Sequence, residues 1–532
     1  MMRRSSLGCG IAAALVLGTT PAVATTPSDA LVIAWNIDAI SSFDPAQIAE
    51  VVTDEILLNI CDALVDFDPE DPTQFIPGLA ESWDVSEDMQ TITFTLKEGI
   101  VFPDGSPGTA QDLVWSMHRV LRLGYGNAAA LTEYGFTEEN VEDMIFAEDD
   151  RTVVMKLDRP YPVSLIMASI AANRVAVMLN REVLEANAEG DDLGNAWLAT
   201  RTECVGPYSL ARWNAGEVVM LQANEHYAGE APNLQRVLIR HVAETGTQRL
   251  LVEQGDVDVA RNLTPEDIAE LAARDDIEMS QVLTPTMFYL SMNNSHPAFE
   301  DPRVRLAMRY LIDFQGLGES VLRDVGEPRS SFAPIGSFGA LDVDEGQPFS
   351  LDIDRARELL AEAGYGDGLT VSLLVGSAPF AAPVAQSIQE NAARAGVTFN
   401  IEQMANAQLF ARHRARDYDA LLTGYRASVP DAHGMASRHV FNPDNSPEAQ
   451  LTQYVSWRSA YYSGEANAAV EEALFESDPE TRAALYRDMQ HWMMEEGPQA
   501  FIMQYYDVAL HSDAVQDWTW NGLRIYLDRV SK

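Results

Sequence analysis

Positive charge is what this chain has least of. Its 532 residues carry 36 lysines and arginines against 80 aspartates and glutamates, a formal net charge of −44. Lysine is nearly missing, with Lys97, Lys156 and Lys532 the three in the chain. So acidic a protein repels the phosphates of DNA and RNA and the headgroups of anionic lipid, which excludes binding to nucleic acid or to a charged membrane surface. Cysteine is scarce as well, at three residues, and no CxxC or nearby histidine pair completes a zinc site. A chain of this length buries a large core without disulfide scaffolding. No apolar run reaches the ~20 residues that a membrane span needs. The Gly-x-x-x-x-Gly-Lys-Ser/Thr loop for nucleotide phosphates, the Gly-x-Ser-x-Gly nucleophile elbow and the His-Glu-x-x-His zinc helix are all absent. The 47% hydrophobic content fits a globular protein of about three domains. Nothing in it points to an enzyme, a cofactor or a bound metal.

The first residues read as an address. Arg3 and Arg4 precede an apolar run from Ile11 to Leu17, and Ala22-Val23-Ala24 is a small-x-small cleavage site. Together they predict a secretory signal peptide over residues 1–24. Cys9 stands before the apolar run, not after it, against a lipid anchor. Export places the remaining chain in an oxidising periplasm. There Cys61 and Cys204 are a candidate disulfide, with two buried free thiols as the alternative.

Strand signals dominate the first half. Residues 90–96 alternate Ile92, Phe94 and Leu96 with threonines, the pattern of a half-buried strand, and 152–157 and 217–222 are similar. Thr109 caps a helix predicted over 109–121. After residue 285 the character changes. Asp301-Pro302 opens a helix, a second helix covers 354–363, and then strands at 369–375, 397–403 and 418–424 alternate with helices at 381–395 and 406–415. This is the β-α-β-α-β order of a parallel sheet. Such sheets bind ligands beyond the carboxyl ends of their strands. The stretch Tyr425-Arg426-Ala427-Ser428-Val429-Pro430-Asp431, where the last strand runs out, is therefore a candidate site for a polar small molecule.

An ordered series of motifs resembles a known family. Ser41-Ser42-Phe43-Asp44-Pro45-Ala46, Asn59-Ile60-Cys61-Asp62-Ala63-Leu64, Pro77-Gly78-Leu79-Ala80-Glu81-Ser82-Trp83, Gly206-Pro207-Tyr208 with Asn224 and Tyr227, Asp301-Pro302-Arg303-Val304-Arg305 and Leu359-Leu360-Ala361-Glu362-Ala363-Gly364-Tyr365 are similar to those of the extracytoplasmic solute-binding proteins of family 5, the peptide, nickel and opine class of ABC importers. The resemblance implies an α/β, two-lobed periplasmic-binding-protein fold with an extra domain inserted in lobe one and the ligand cleft between the lobes. Lobe one is expected from 25–57, 208–284 and 506–532, the inserted subdomain from 58–207, and lobe two from 285–505, with hinges near 284 and 505. The implied function is capture of a small polar solute, an oligopeptide first, and its delivery by a monomer to ABC permease subunits in the inner membrane. An opine, amino-sugar or other cationic solute is the alternative cargo, a sensor or chaperone the alternative role, and a secreted hydrolase the remotest reading.

Residue by residue, the resemblance assigns Asp431 to the ligand's ammonium, although Asp431 also suits the cap of a helix starting at Ala432. Peptide binders place an arginine for the ligand carboxylate after the strand at 369–375. Here that loop reads Gly376-Ser377-Ala378-Pro379-Phe380, so Arg426 is the substitute, because a guanidinium grips a carboxylate in a fork. Tyr425 stands where the family has an aromatic wall. Trp35, Asn36 and Ser42 follow the first strand on lobe one's side of the cleft. His433 and His439 lie six residues apart, not at helical i, i+4 spacing, and give no metal site.

Overall fold

The computed structural model describes residues 26–48 and 50–532; the signal peptide expected over 1–24 lies outside them. One sheet of 11 strands runs through the molecule, and two long strands, Ile277–Met292 and Gln499–Ser512, belong to both of its halves. On one side of this pair lies lobe one. Its strand Ala30–Trp35 is buried along its whole length and pairs in parallel with Arg236–His241 and Val259–Arg261. A strand covered on both faces carries a continuous apolar run, which is why Ala-Leu-Val-Ile-Ala-Trp shows no alternation. On the other side lies lobe two, where Leu369–Val375 is flanked in parallel by Val397–Gln403 and Ala420–Arg426. Helix Ala381–Arg394 makes the first crossover and Asn406–Arg414 the second.

The two long strands pair antiparallel, and their register breaks between Leu283 and Met287. Below the break Leu283 faces Tyr506; above it Met287 faces Gln504. Three residues, Thr284 to Thr286, thus separate the lobe-one pairing from the lobe-two pairing. An interrupted ladder is the softest part of a sheet and the natural place for one half to tilt against the other.

The inserted region has its own core. Four antiparallel strands, in the order Ala80–Val85, Thr91–Leu96, Thr152–Lys156, Ile145–Ala147, back onto helices Ala110–Leu123 and Val163–Ala172. In Thr91–Leu96 the residues Ile92, Phe94 and Leu96 point inward, as the alternation predicts. Thr109 caps the first helix, with the Asp112 carboxylate accepting from its backbone N–H at 3.0 Å, and Gly124 closes it in the left-handed conformation, φ +63°. That helix is fastened to lobe one by Arg119, which forks the buried carboxylate of Asp44.

At the neck of this region the chain enters and leaves side by side. Asp62 donates its N–H to the Val205 carbonyl at 2.8 Å, and a Cβ at Gly206 would sit 2.0 Å from the Ile60 carbonyl oxygen, so only glycine fits. Cys61 and Cys204 are joined there in a disulfide, with Cα atoms 5.0 Å apart.

Candidate functional site

Strand Ala420–Arg426 runs two residues further than the sequence pattern predicts, so Tyr425 and Arg426 are its last residues and not part of the loop. Pairing with the hinge strand, Arg426 against Thr286, explains the extension. The loop then turns through Ser428 into helix Ala432–His439. Opposite stands the short lobe-one helix Val51–Leu57. The third wall comes from the inserted subdomain, where Asn173 and Arg174 follow the apolar helix Val163–Ala172. Between these walls lies a cavity of about 240 Å³, lined among others by Asp54, Arg174, Arg426, Ser428 and Arg524. A second space of about 160 Å³, reached past Asn127, Asn173 and Ser428, extends it to Tyr134 and Tyr425. Small-molecule sites occupy a few hundred Å³ of this kind of enclosed, mixed surface.

The charges in the cavity are unequally satisfied. Arg524 is closed on Asp66. Arg426 has one contact, the Gly522 carbonyl at 3.4 Å, and among the described residues no carboxylate lies within 4.0 Å of it. Arg174 is 2% exposed and held with φ +53°, in the left-handed region that a side chain with a Cβ adopts only at a cost. Its Nε lies 3.7 Å from Asp54, beyond hydrogen-bond distance, and finds no other acceptor. The Asp54 carboxylate in turn accepts no hydrogen bond from any described residue and keeps a third of its side-chain surface open. Burial pushes its carboxyl above the usual range, and the guanidinium groups of Arg174 and Arg426 oppose that rise.

Contacts across the mouth join lobe two to the inserted subdomain. Arg438 pairs with Glu133, and Phe475 packs on Tyr161 with ring centres 5.5 Å apart and under the guanidinium of Arg159. The two halves are closed on each other.

Of the residues expected from sequence, Tyr425 and Arg426 line the cleft. The Tyr425 ring meets His439 edge-on at 5.1 Å, and burial pushes its hydroxyl up to about 12. Asp431 is 4% exposed and its two oxygens take the two arms of Arg482 at 2.8 and 2.9 Å, while one also caps the helix through the His433 N–H. An acidic chain gives no sequence sign that one particular arginine, 51 residues on, will claim this carboxylate. Trp35, Asn36 and Ser42 do not line this cavity. Trp35 and Trp520 sandwich the Arg261 guanidinium at 4.5 and 4.6 Å, and Arg261 binds Glu55 and Asp507. The Asn36 side-chain oxygen accepts from Asp38 N–H, and the Ser42 hydroxyl from Asp44 N–H. Loop 376–380, where an arginine was missed, does not line the cavity; Phe380 packs against Phe288 and Tyr505.

Sequence reasoning missed Asp54, Arg174 and Arg524. Nothing in the sequence near Arg174, two residues after the apolar helix Val163–Ala172, marks it out, because arginines are mostly exposed. His433 bonds the Tyr486 hydroxyl at 2.8 Å and His439 is caged by aromatics. Among the described residues no group of three or more His, Cys, Asp or Glu could hold a metal ion.

Comparison with known proteins agrees with this architecture. Residues 74–447 match the bacterial extracellular solute-binding proteins, family 5. The "Probable D,D-dipeptide-binding periplasmic protein DdpA" of Escherichia coli K12 is 27% identical over 516 residues, covering 96% of this chain and 95% of its own. The glutathione-binding protein GsiB of Salmonella typhimurium is 27% identical over 444 residues, 82% of this chain and 81% of its own. Among solved structures, the ABC transporter-associated periplasmic binding protein DppA of Helicobacter pylori, in complex with the peptide STSA, superposes with a TM-score of 0.79 at 22% identity, over 94% of this chain and 98% of that one.

Proposed function

The chain belongs to the family 5 bacterial extracellular solute-binding proteins, the binding components of ABC importers, and on that premise we propose that its cargo is a short peptide or peptide-like zwitterion captured in the periplasm and handed to a membrane permease. The observation that carries this reading is the cavity between the lobes, with Arg426 on its lobe-two wall and no carboxylate among the described residues within 4.0 Å of it. A half-buried guanidinium with one long hydrogen bond is poised for an anion, and a ligand carboxylate supplies two parallel acceptors. The relatives' names point the same way: they are said to bind D,D-dipeptides and glutathione. The cavity sizes favour two or three residues over a long oligopeptide. Tyr425 supplies an apolar wall, and Asn127, Asn173 and Ser428 supply hydrogen-bonding groups without fixed charge.

The test is a thermal-shift panel on protein unfolded and refolded to remove trapped solute, with di- to pentapeptides, opines, polyamines, oligosaccharides and nickel chelates. A solute at 100 times its Kd stabilises the fold by about 2.7 kcal/mol, a shift of roughly a few degrees for a chain of this size. A shift with short peptides is expected. A shift confined to sugars or polyamines overturns the reading.

A further inference from the structure

We propose that the cationic end of the solute is held by Asp54, on the lobe-one helix Val51–Leu57, so that one zwitterion spans the cleft with its ammonium on lobe one and its carboxylate on Arg426 of lobe two. The proposal rests on the reading of the cleft as a peptide site and adds to it the residue that reads the amine.

Asp431 is unsuited to that task in this chain. Both its oxygens are committed to Arg482, and an incoming ammonium would have to leave that guanidinium, 2% exposed at its side chain, without its partner. Removing one member of a buried pair is strongly destabilising. Of the carboxylates lining the larger cavity, Asp66 is closed on Arg524 and Glu50 accepts from the Ser41 hydroxyl at 2.9 Å. The Asp54 carboxylate accepts no hydrogen bond from the described residues, and the cation nearest to it stands at 3.7 Å. A part-buried carboxylate without protein donors gains from any that arrive, and an ammonium carries three. Asp54 and Arg426 line the same cavity yet do not pair with each other among the described contacts. Two opposite charges that line one cavity and feel each other without forming an ion pair match the two ends of a zwitterion.

The arrangement also explains closure. Asp54 and Arg426 sit on opposite lobes, so a solute with both ends gains both contacts only in the closed form. A solute with one end touches one lobe and gives no preference for closing.

The experiment measures, by calorimetry on the refolded full chain, the Kd of Ala-Ala and Ala-Ala-Ala, of their N-acetyl forms and of their C-terminal amides. In the wild type, acetylation is expected to weaken binding about 100-fold or more, the usual consequence of removing one partner of a desolvated charge pair. In Asp54→Asn the free and acetylated peptides should bind alike, both weakly. In Arg426→Gln the penalty for amidation should vanish while the penalty for acetylation remains. If wild type binds free and acetylated peptides equally, the amine contact is refuted while the peptide reading stands. If acetylation hurts but Asp54→Asn leaves that penalty unchanged, the amine is read elsewhere and the assignment of Asp54 is wrong. If neither free peptide binds to protein that melts cooperatively, the peptide reading fails and takes this proposal with it. Asp54→Ser repeats the comparison should Asp54→Asn not fold.

Discussion

Two acid–arginine pairs in this protein lie close to one cleft and live under opposite conditions. Asp431 and Arg482 are forked together, buried, and further held by a helix N-terminus. Asp54 and Arg174 lean toward each other at 3.7 Å, with an orphaned Nε on one and an unoccupied carboxylate on the other. Residue types are the same; what differs is how completely each charge is satisfied. A closed pair contributes to the architecture of its lobe and has nothing left to offer a solute. An open pair holds its interaction energy in reserve. Charge in a cleft is thus informative about binding only after its internal partners have been counted.

The contrast can be broken most forcefully at Asp431. Asp431→Ala should cost roughly 3–5 kcal/mol in urea unfolding, because it strands Arg482 in the core, and replacing both members by apolar residues of similar volume should recover most of it. A loss under 1 kcal/mol would mean the pair is not closed. Next in size is the bond at the neck. Converting Cys61 and Cys204 to serine removes a cross-link across a separation of 143 residues and should lower stability by about 2–4 kcal/mol, readable as a drop in the urea midpoint that reductant reproduces on the wild type.

Acid sharpens the comparison by loading lobe two selectively. Burial holds His433 and His439 neutral, with their pKa values lowered to about 3. Unfolded, each binds a proton near 6.5, so the unfolded chain takes up more protons between those values. The stability these residues confer is complete above about pH 6.5 and is lost as pH falls toward 3, by about 2 kcal/mol per histidine at pH 5. His439→Phe should flatten the pH dependence by that amount. The smallest stability change is expected at Arg426. Arg426→Gln should stay within about 0.5 kcal/mol of wild type in urea, yet weaken a carboxylate-bearing peptide by roughly 10- to 100-fold in calorimetry. Equal stability and equal affinity would show that this arginine is as idle as any on the surface.

What the sequence made legible follows from the range of the forces involved. The strands at 369–375 and 397–403 fall on the residues expected, because hydrophobic alternation, Gly364 and Gly396 are local signals. Tyr425 and Arg426 reach the cavity because a strand's carboxyl end is a topological position, fixed by the order of elements. Asp54 could not be found that way. It sits in a seven-residue helix, and its importance depends on Arg174 from another subdomain and Arg426 from another lobe. Trp35 lies away from the cavity for a related reason: it ends the first strand, but its ring is claimed by Arg261, which arrives more than two hundred residues later. Side-chain partnership over such distances leaves no periodic trace in a chain where carboxylates are everywhere.

The disulfide at the neck has a consequence for the molecule as an object. Everything between Cys61 and Cys204 hangs from lobe one as a covalent ring. A protease that nicks one exposed turn inside that ring, such as the stretch around Asp191, leaves all the pieces on a single molecule. The cut severs the backbone without releasing a fragment, so under oxidising conditions a nicked copy still migrates as one species and keeps Arg174 at its post. The same cut after reduction yields two chains. The ring makes the wall of the cleft tolerant of a single backbone cut.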